Sequence, residues 1–165
     1  DVYKRQIVTI DLGLVHQGLF TDSAVTLPVG EVDEENKRLI EETKKALAKG
    51  IAAAAVGRTV GDIGAAVEDH VKKAGLGLVR DLAGHGVGYA VHEDPLVPNY
   101  GRTGDGEILK EGLVIAIEPM VTRGGAKTKL LRDGFTFVTA DGSISAHFEH
   151  TVAITKKGVR ILTQE

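Results

Sequence analysis

Two apolar-rich runs open the chain, at residues 7–15 (IVTIDLGLV) and 19–27 (LFTDSAVTL). Two such runs around a short polar segment predict a β-hairpin that turns near residues 17–18. With a two-residue turn, Asp11 and Asp22 lie on the same face of the hairpin, opposite or diagonal to each other, because strand side chains alternate with a period of two. A three-residue turn would place them on different faces.

Apolar residues then recur at spacings of three and four between residues 33 and 55, which predicts an amphipathic helix with an acidic start. A second helix is predicted at about 60–74. Thr59, with Asp62 three residues later, resembles a capping box at its start.

The rest of the chain predicts strands and turns. Strands are expected at 76–80, 113–118, 129–138, 143–155 and 159–163, with a loop at 84–101 and turns at 141–142 and 157–158. The order of strands, two helices and further strands predicts an α+β fold, with the helices on one face of a mostly antiparallel sheet. We expect residues 1–165 to form one domain.

Composition narrows the functional classes. The chain has 165 residues, 42% apolar and 26% charged, as in ordinary globular proteins. A net charge of −3 argues against a nucleic-acid or anionic-membrane surface. Without cysteine there are no disulfides, thiolate metal sites or cysteine nucleophiles, which fits a reducing compartment, and we expect a cytoplasmic protein. No apolar run approaches the ~18 residues of a membrane helix.

Several short motifs of known chemistry are absent, namely GxxxxGK[ST], HExxH, GxSxG and CxxC. The segment GHGVG is not a dinucleotide fingerprint, because Tyr89 occupies the position of the third glycine. The chain has 21 glycines among 165 residues, nearly twice the average glycine content of about 7%. Many of them flank acidic residues and histidines, where a close approach of the backbone is useful.

Carboxylates interrupt four otherwise apolar strands. They are Asp11, Asp22, Glu118 and Glu149. Each alone could be exposed or ion-paired, but four buried carboxylates need a shared counter-charge. Two divalent cations would neutralise them and activate a water molecule as a nucleophile. Basic side chains could also neutralise them, although no Lys or Arg lies within these four runs.

Histidines supply candidate nitrogen ligands. His85, between two glycines, is the first candidate, and His92 is the next, either as a ligand or as a donor to a developing oxyanion. His16, in the hairpin turn, and His70, on a polar helix face, are predicted to be solvated. A carboxylate set with one imidazole suits Mn, Fe, Co or Zn.

Four segments match a known family in order. They are IDLGLVHQGLFTDSAVTLPVG, GHGVGYAVHEDPLVPNYG, IAIEPMV and SAHFEHTVAIT. Together they closely resemble the type I methionine aminopeptidases of the pita-bread metallohydrolase fold, from about residue 5 onward. EPM and EHT favour this group over prolidases and X-Pro aminopeptidases, which typically carry EPG.

The resemblance implies a dinuclear metal centre. Its five ligands would be Asp11, Asp22, His85, Glu118 and Glu149, the set suggested by the residues themselves. Asp22 and Glu149 would bridge the two ions, Asp11 would bind one of them, and His85 and Glu118 would complete the other.

The resemblance also implies the reaction. Glu118 would move protons, and His92 would polarise the scissile carbonyl and stabilise the tetrahedral intermediate. The expected activity is removal of the initiator Met from nascent polypeptides whose second residue is small. Nascent N-termini are therefore the expected partners, with transient contact to the ribosome, and no nucleic acid or membrane.

Some positions depart from the family. Relatives begin upstream, with a further substrate-contacting histidine and most of the Met pocket, and DVYKRQ has no initiator Met, so we expect an N-terminal portion to be missing. At predicted substrate-binding positions, Val91 replaces a frequent Phe, Phe135 a frequent Trp and His147 the usual Gln. His147 shares a face with Glu149 on a regular strand. It is either an additional metal ligand or, the favoured alternative, a polar pocket residue without metal contact.

Two other functions remain open. A prolidase or X-Pro aminopeptidase uses the same metal ligands and differs in the motif details. A non-catalytic binding protein on this fold would typically have lost ligands, whereas all five are present here. The sequence therefore favours a metallo-aminopeptidase, although the chain as given could be inactive.

Overall fold

The computed structural model describes residues 5–164. Its first element is the predicted hairpin, β1 (Ile7–His16) and β2 (Leu19–Pro28), joined by a two-residue turn. Gln17 and Gly18 both have positive φ, 50° and 80°, as expected of a turn whose twist matches that of the flanking strands.

The register of the hairpin confirms the prediction for its two carboxylates. Asp11 pairs with Ala24, and Asp22 pairs with Gly13. The two aspartates are therefore diagonal neighbours on one face of the hairpin.

Both predicted helices are present, as α1 (Glu34–Ala53) and α2 (Val60–Lys73). The capping box at the start of α2 is confirmed, because the hydroxyl of Thr59 accepts from Asp62 N–H and the carboxylate of Asp62 accepts from Thr59 N–H. Neither helix is long and apolar enough to cross a membrane. Both contribute buried side chains to two apolar clusters that lie between the helices and the sheets.

Ten short strands complete the described fold. They are β3 (Gly77–Leu78), β4 (Gly84–Gly86), β5 (Glu93–Val97), β6 (Val114–Ile117), β7 (Met120–Thr122), β8 (Thr128–Leu130), β9 (Phe137–Thr139), β10 (Ser145–His147), β11 (His150–Thr155) and β12 (Gly158–Ile161). All pairings between strands are antiparallel, which confirms the predicted α+β class. Instead of one sheet, however, the strands form four.

The largest sheets have the orders β12-β11-β6-β4-β5 and β10-β7-β3, while β1-β2 and β8-β9 are separate hairpins. The segment 84–101, predicted as a loop, contributes strands β4 and β5. Its glycines allow the close strand pairing, since a Cβ at Gly84 would lie only 2.3 Å from the carbonyl oxygen of Ala116.

The chain changes sheet at two acidic positions. β6 and β11 pair in the five-stranded sheet, and their continuations β7 and β10 pair in the three-stranded sheet. The first break contains Glu118 and Pro119, and the second contains Phe148 and Glu149. The continuous strand predicted at 143–155 was therefore wrong, and so was the regular strand assumed between His147 and Glu149.

The turn near residue 141 provides a test of stability. Backbone N–H groups of Gly125 and Ser143 donate to the Asp141 carboxylate and hold its pKa at about 2, below the usual value for Asp. The lowered pKa stabilises the fold at pH values above about 4, the pKa of Asp in an unfolded chain. This stabilisation is lost as the pH falls through about 2. We expect Asp141→Asn to lower the midpoint of urea unfolding at pH 7 and to match the wild type near pH 2. A difference that does not depend on pH would contradict this.

Candidate metal centre

The hairpin and the sheet junction hold the four carboxylates predicted to bind metal. Asp11 on β1 is exposed, whereas Asp22 on β2 is only 9% exposed. Glu118 and Glu149 occupy the two positions where the chain changes sheet, and Glu149 is 2% exposed. Both glutamates come close to the hairpin, because Glu149 groups with Asp11 and Asp22, and both aspartates raise the pKa of Glu118.

His85 has its tautomer set by its neighbour. Its Nδ1 lies 2.9 Å from the carbonyl oxygen of Gly86, and a carbonyl can only accept, so Nδ1 carries the proton. In the neutral ring Nε2 then presents a lone pair, and it lies 3.4 Å from Oε1 of Glu118. Two electron-pair donors that face each other at this distance suit a cation between them.

The structure brings all five predicted ligands together in overlapping groups. Within each group, one potential ligand atom per residue lies within 4.8 Å of the others, and the groups are Asp11–Asp22–Glu149, His85–Glu118–Glu149 and Asp22–His85–His92. Asp22, His85 and Glu149 each belong to two groups. The overlap of the groups supports a centre with shared ligands, and the assignment of individual ligands stays a prediction.

Burial and like charge set the electrostatics of the cluster. Burial, and then Asp11 and Asp22, raise the pKa of Glu118 to about 8. Burial, and then Glu118 and both aspartates, raise the pKa of Glu149 to about 9. The carboxylates therefore resist ionisation together in the absence of a cation.

The cluster fits a metal better than basic partners. Among residues 5–164, no Lys or Arg side chain forms an ion pair with the four carboxylates. Oε1 of Glu149 is buried without a hydrogen-bond partner in this part of the chain. An unpaired buried carboxylate oxygen, surrounded by other oxygens and one imidazole nitrogen, is suited to divalent cations.

The loop after β4 borders this cluster. The rings of His85 and His92 are 4.4 Å apart in an edge-to-face arrangement, and His92 is exposed. Val91 lies over Gly13 of the hairpin, because its Cγ2 is 3.9 Å from the place that a Cβ on Gly13 would occupy. His92 and Val91 therefore stand at the open side of the cluster, where a substrate could reach them.

His147 approaches the carboxylates although its strand is broken. Its Nδ1 lies 4.0 Å from Oδ2 of Asp11, and its Nε2 lies 3.6 Å from Oε2 of Glu118. Burial lowers the pKa of His147 to about 4, against the opposing effect of Asp22, so the ring is neutral at pH 7. The side chain lines a pocket of about 200 Å³ with Met120. Both hypotheses for His147 remain predictions.

Other predicted residues lie elsewhere. Phe135 is 87% exposed in the turn between β8 and β9, and the structure does not bring it to the cluster, while Phe137 lines the pocket beside His147. His16 is exposed, as predicted. The prediction for His70 was wrong: its Nε2 lies 2.8 Å from Oε2 of Glu42 on α1, because the two helices pack together.

Three buried polar side chains around the cluster were not among the predicted site residues. Asn99, 1% exposed, donates from Nδ2 to the backbone oxygen of Glu118 at 3.0 Å. Thr151 contacts the backbone of Asp22, and Thr26 contacts the backbone of His147. Threonine is also common in exposed strands, so residue type alone does not mark a buried position. Thr151 stood out only as part of the EHT motif.

The chain is similar to known metallopeptidases in sequence and in structure. The profile of metallopeptidase family M24 matches residues 1–156. A methionine aminopeptidase of Clostridium perfringens is 48% identical over 157 residues, which are 95% of this chain and 63% of the relative. The structure of a methionine aminopeptidase from Thermotoga maritima superposes with a TM-score of 0.95 at 46% identity, covering 98% of this chain and 65% of that one.

A more distant match is a prolidase from Pyrococcus furiosus, with a TM-score of 0.76 and 28% identity over 98% of this chain and 42% of that one. The chain thus spans about two thirds of the length of the methionine aminopeptidases that it matches. These matches confirm the pita-bread fold. The family match extends over nearly the whole chain, and the chain belongs to metallopeptidase family M24.

Proposed function

We propose that this chain forms the metal centre of a methionine aminopeptidase, which removes the initiator Met from proteins with a small second residue. The observation that carries the proposal is the convergence of four carboxylates and the free Nε2 of His85 within overlapping 4.8 Å groups. The higher identity to methionine aminopeptidases, 48% against 28% for the prolidase, favours this activity within the family.

Two divalent ions, Co, Mn, Fe or Zn, are the proposed cofactors. Asp22 and Glu149 would be shared between them, Asp11 would complete one site, and His85 and Glu118 would complete the other. When bound, the ions supply Lewis acidity and lower the pKa of water toward neutrality. The raised pKa values of Glu118 and Glu149 support this assignment, because bound cations would relieve the repulsion that causes them.

The chain's own groups would handle protons and orientation. Glu118, whose Oε1 lies 3.4 Å from Nε2 of His85, would accept a proton from the attacking water and pass it to the leaving amine. His92 stands at the exposed edge of the cluster and would donate a hydrogen bond to the carbonyl oxygen as negative charge develops there. His85, fixed by Gly86, would keep its Nε2 directed at the ions.

Val91, His147 and Phe135 are the proposed substrate-side residues. Val91 and His147 border the cluster, whereas Phe135 would reach a substrate only from the tip of the β8–β9 turn, where it is 87% exposed. The N-termini of nascent polypeptides are the proposed partners, with transient ribosome contact. A cytoplasmic location is proposed with this role.

A peptide comparison tests the function. The purified gene product containing this sequence, loaded with Mn or Co, is expected to release Met from Met-Ala-Ser and to leave Ala-Pro peptides intact. Cleavage of the proline peptide alone would support a prolidase instead. Metal binding without cleavage of either peptide would support a binding protein on the same fold.

A further inference from the structure

The hairpin that carries Asp11 and Asp22 is a separate two-stranded sheet, so no continuous backbone ladder fixes its position against β11. Backbone contact between the hairpin and the strand break consists of one hydrogen bond, from Glu149 N–H to the oxygen of Ala24 at 2.9 Å. Because Asp22 lies in the hairpin and Glu149 in the break between β10 and β11, the distance between their side chains depends on what else joins the two segments.

Ser23 Oγ donates to the backbone oxygen of Glu149 at 3.1 Å, and a further side-chain connection comes from Thr151. Its Oγ1 accepts a hydrogen bond from Asp22 N–H at 2.8 Å and donates one to the backbone oxygen of Asp22 at 2.7 Å. The single hydroxyl therefore satisfies both backbone groups of a proposed ligand, as a paired strand would. Thr151 is fully buried at 0% exposure, and its own backbone pairs with Ala116 in the five-stranded sheet.

A second threonine hydroxyl, that of Thr26, pairs with a backbone in the same way four residues further along the hairpin. Oγ1 of Thr26 donates to the oxygen of His147 at 2.8 Å and accepts from His147 N–H at 2.9 Å. Since that hydroxyl proton is committed to His147, Thr9, whose Oγ1 is 2.8 Å away, must donate to Thr26. The contacts 26 to 147, 24 to 149 and 22 to 151 advance in opposite directions along the two segments, in the manner of an antiparallel pair.

We propose that the Thr151 hydroxyl is a positioning group for the metal centre, which sets the register and separation of Asp22 and Glu149 by replacing a backbone ladder with a side chain. The inference rests on the proposed metal centre. Threonine suits this task because its hydroxyl supplies one donor and its lone pairs accept. Its β-branched side chain has restricted χ1 rotation, so the hydroxyl is held in one direction.

Thr151→Val tests the inference, because valine keeps the shape and removes the hydroxyl. We expect metal affinity, measured by calorimetry with Mn²⁺, to fall about 10- to 100-fold, the range typical of residues that orient ligands. Thr151→Ser should restore binding to near the wild-type value. The matched control is Thr43→Val, because Thr43 is equally buried and its hydroxyl bonds Leu39 within α1, away from the cluster.

The two variants distinguish a loss of folding stability from a loss of ligand positioning. Thr43→Val should lose stability and keep its metal affinity, whereas Thr151→Val should lose both. Unchanged affinity in Thr151→Val would overturn the inference while leaving the metal centre intact. Failure of the wild type to bind Mn²⁺ would instead overturn the proposed function. If Thr151→Val does not fold, hydrogen exchange on the wild type decides, since rapid exchange of the Asp22 amide would overturn the inference.

Discussion

Metal binding should be lost in a Glu149→Gln variant, while its metal-free fold becomes more stable. Glu149 belongs to two of the three ligand groups, so its replacement should lower the affinity for both ions. We expect a loss of more than about 100-fold, because residues that only orient a ligand typically cost about 10- to 100-fold. The metal-free protein should gain stability, because glutamine removes a buried carboxylate whose pKa neighbouring carboxylates and burial have raised to about 9.

Calorimetric titration with Mn²⁺ and thermal unfolding with and without the ion measure the two effects. Wild-type protein should show a rise in Tm with metal that Glu149→Gln lacks. Glu107→Gln is a suitable control, because Glu107 is an exposed carboxylate that pairs with Lys110 outside the cluster. If Glu149→Gln were less stable without metal, Glu149 would instead be held by a favourable partner in the folded protein.

The second large effect is expected at His92, where alanine should retain both ions and lose turnover. The assigned role is a hydrogen bond to the developing oxyanion, and loss of one such donor typically costs about 10²- to 10³-fold in kcat. The structure also places His92 in a group with Asp22 and His85, which leaves open a direct role in binding metal. Comparing kcat on Met-Ala-Ser with the bound metal content of the same sample separates these roles.

His16→Ala is the matched control, because His16 is an exposed histidine at the far end of β1. It should retain both metal and turnover. Loss of metal in His92→Ala to the degree seen for Glu149→Gln would make His92 a ligand and remove its separate role in the reaction.

Local sequence patterns determined the hairpin, the helices and the candidate ligands of this protein. The two-residue turn fixed the register of the hairpin, and with it the common face of Asp11 and Asp22, because side chains alternate regularly along a strand. The helices were predictable from their apolar spacing and the Thr59 cap. The candidate ligands could be selected because carboxylates inside apolar strands are costly unless something neutralises them.

Long-range pairing decided the rest. Which strands pair depends on residues far apart in the chain, so the sequence did not reveal four sheets or the breaks at Glu118 and Glu149. The contact between His70 and Glu42 likewise depends on how α1 packs against α2. Asp22 and Thr151 are 129 positions apart in the sequence, so no local pattern could indicate their contact.

The sequence by itself therefore determined the α+β class and the residues that can bind metal, because these follow from residue type and local periodicity. Its motifs carried the family resemblance. The tertiary structure alone decided how those residues meet. It divides the strands so that two glutamates turn toward the hairpin, and it uses a threonine hydroxyl where no backbone ladder exists. Geometry of this kind arises from packing between distant segments, each of which satisfies its polar groups only when the others are in place.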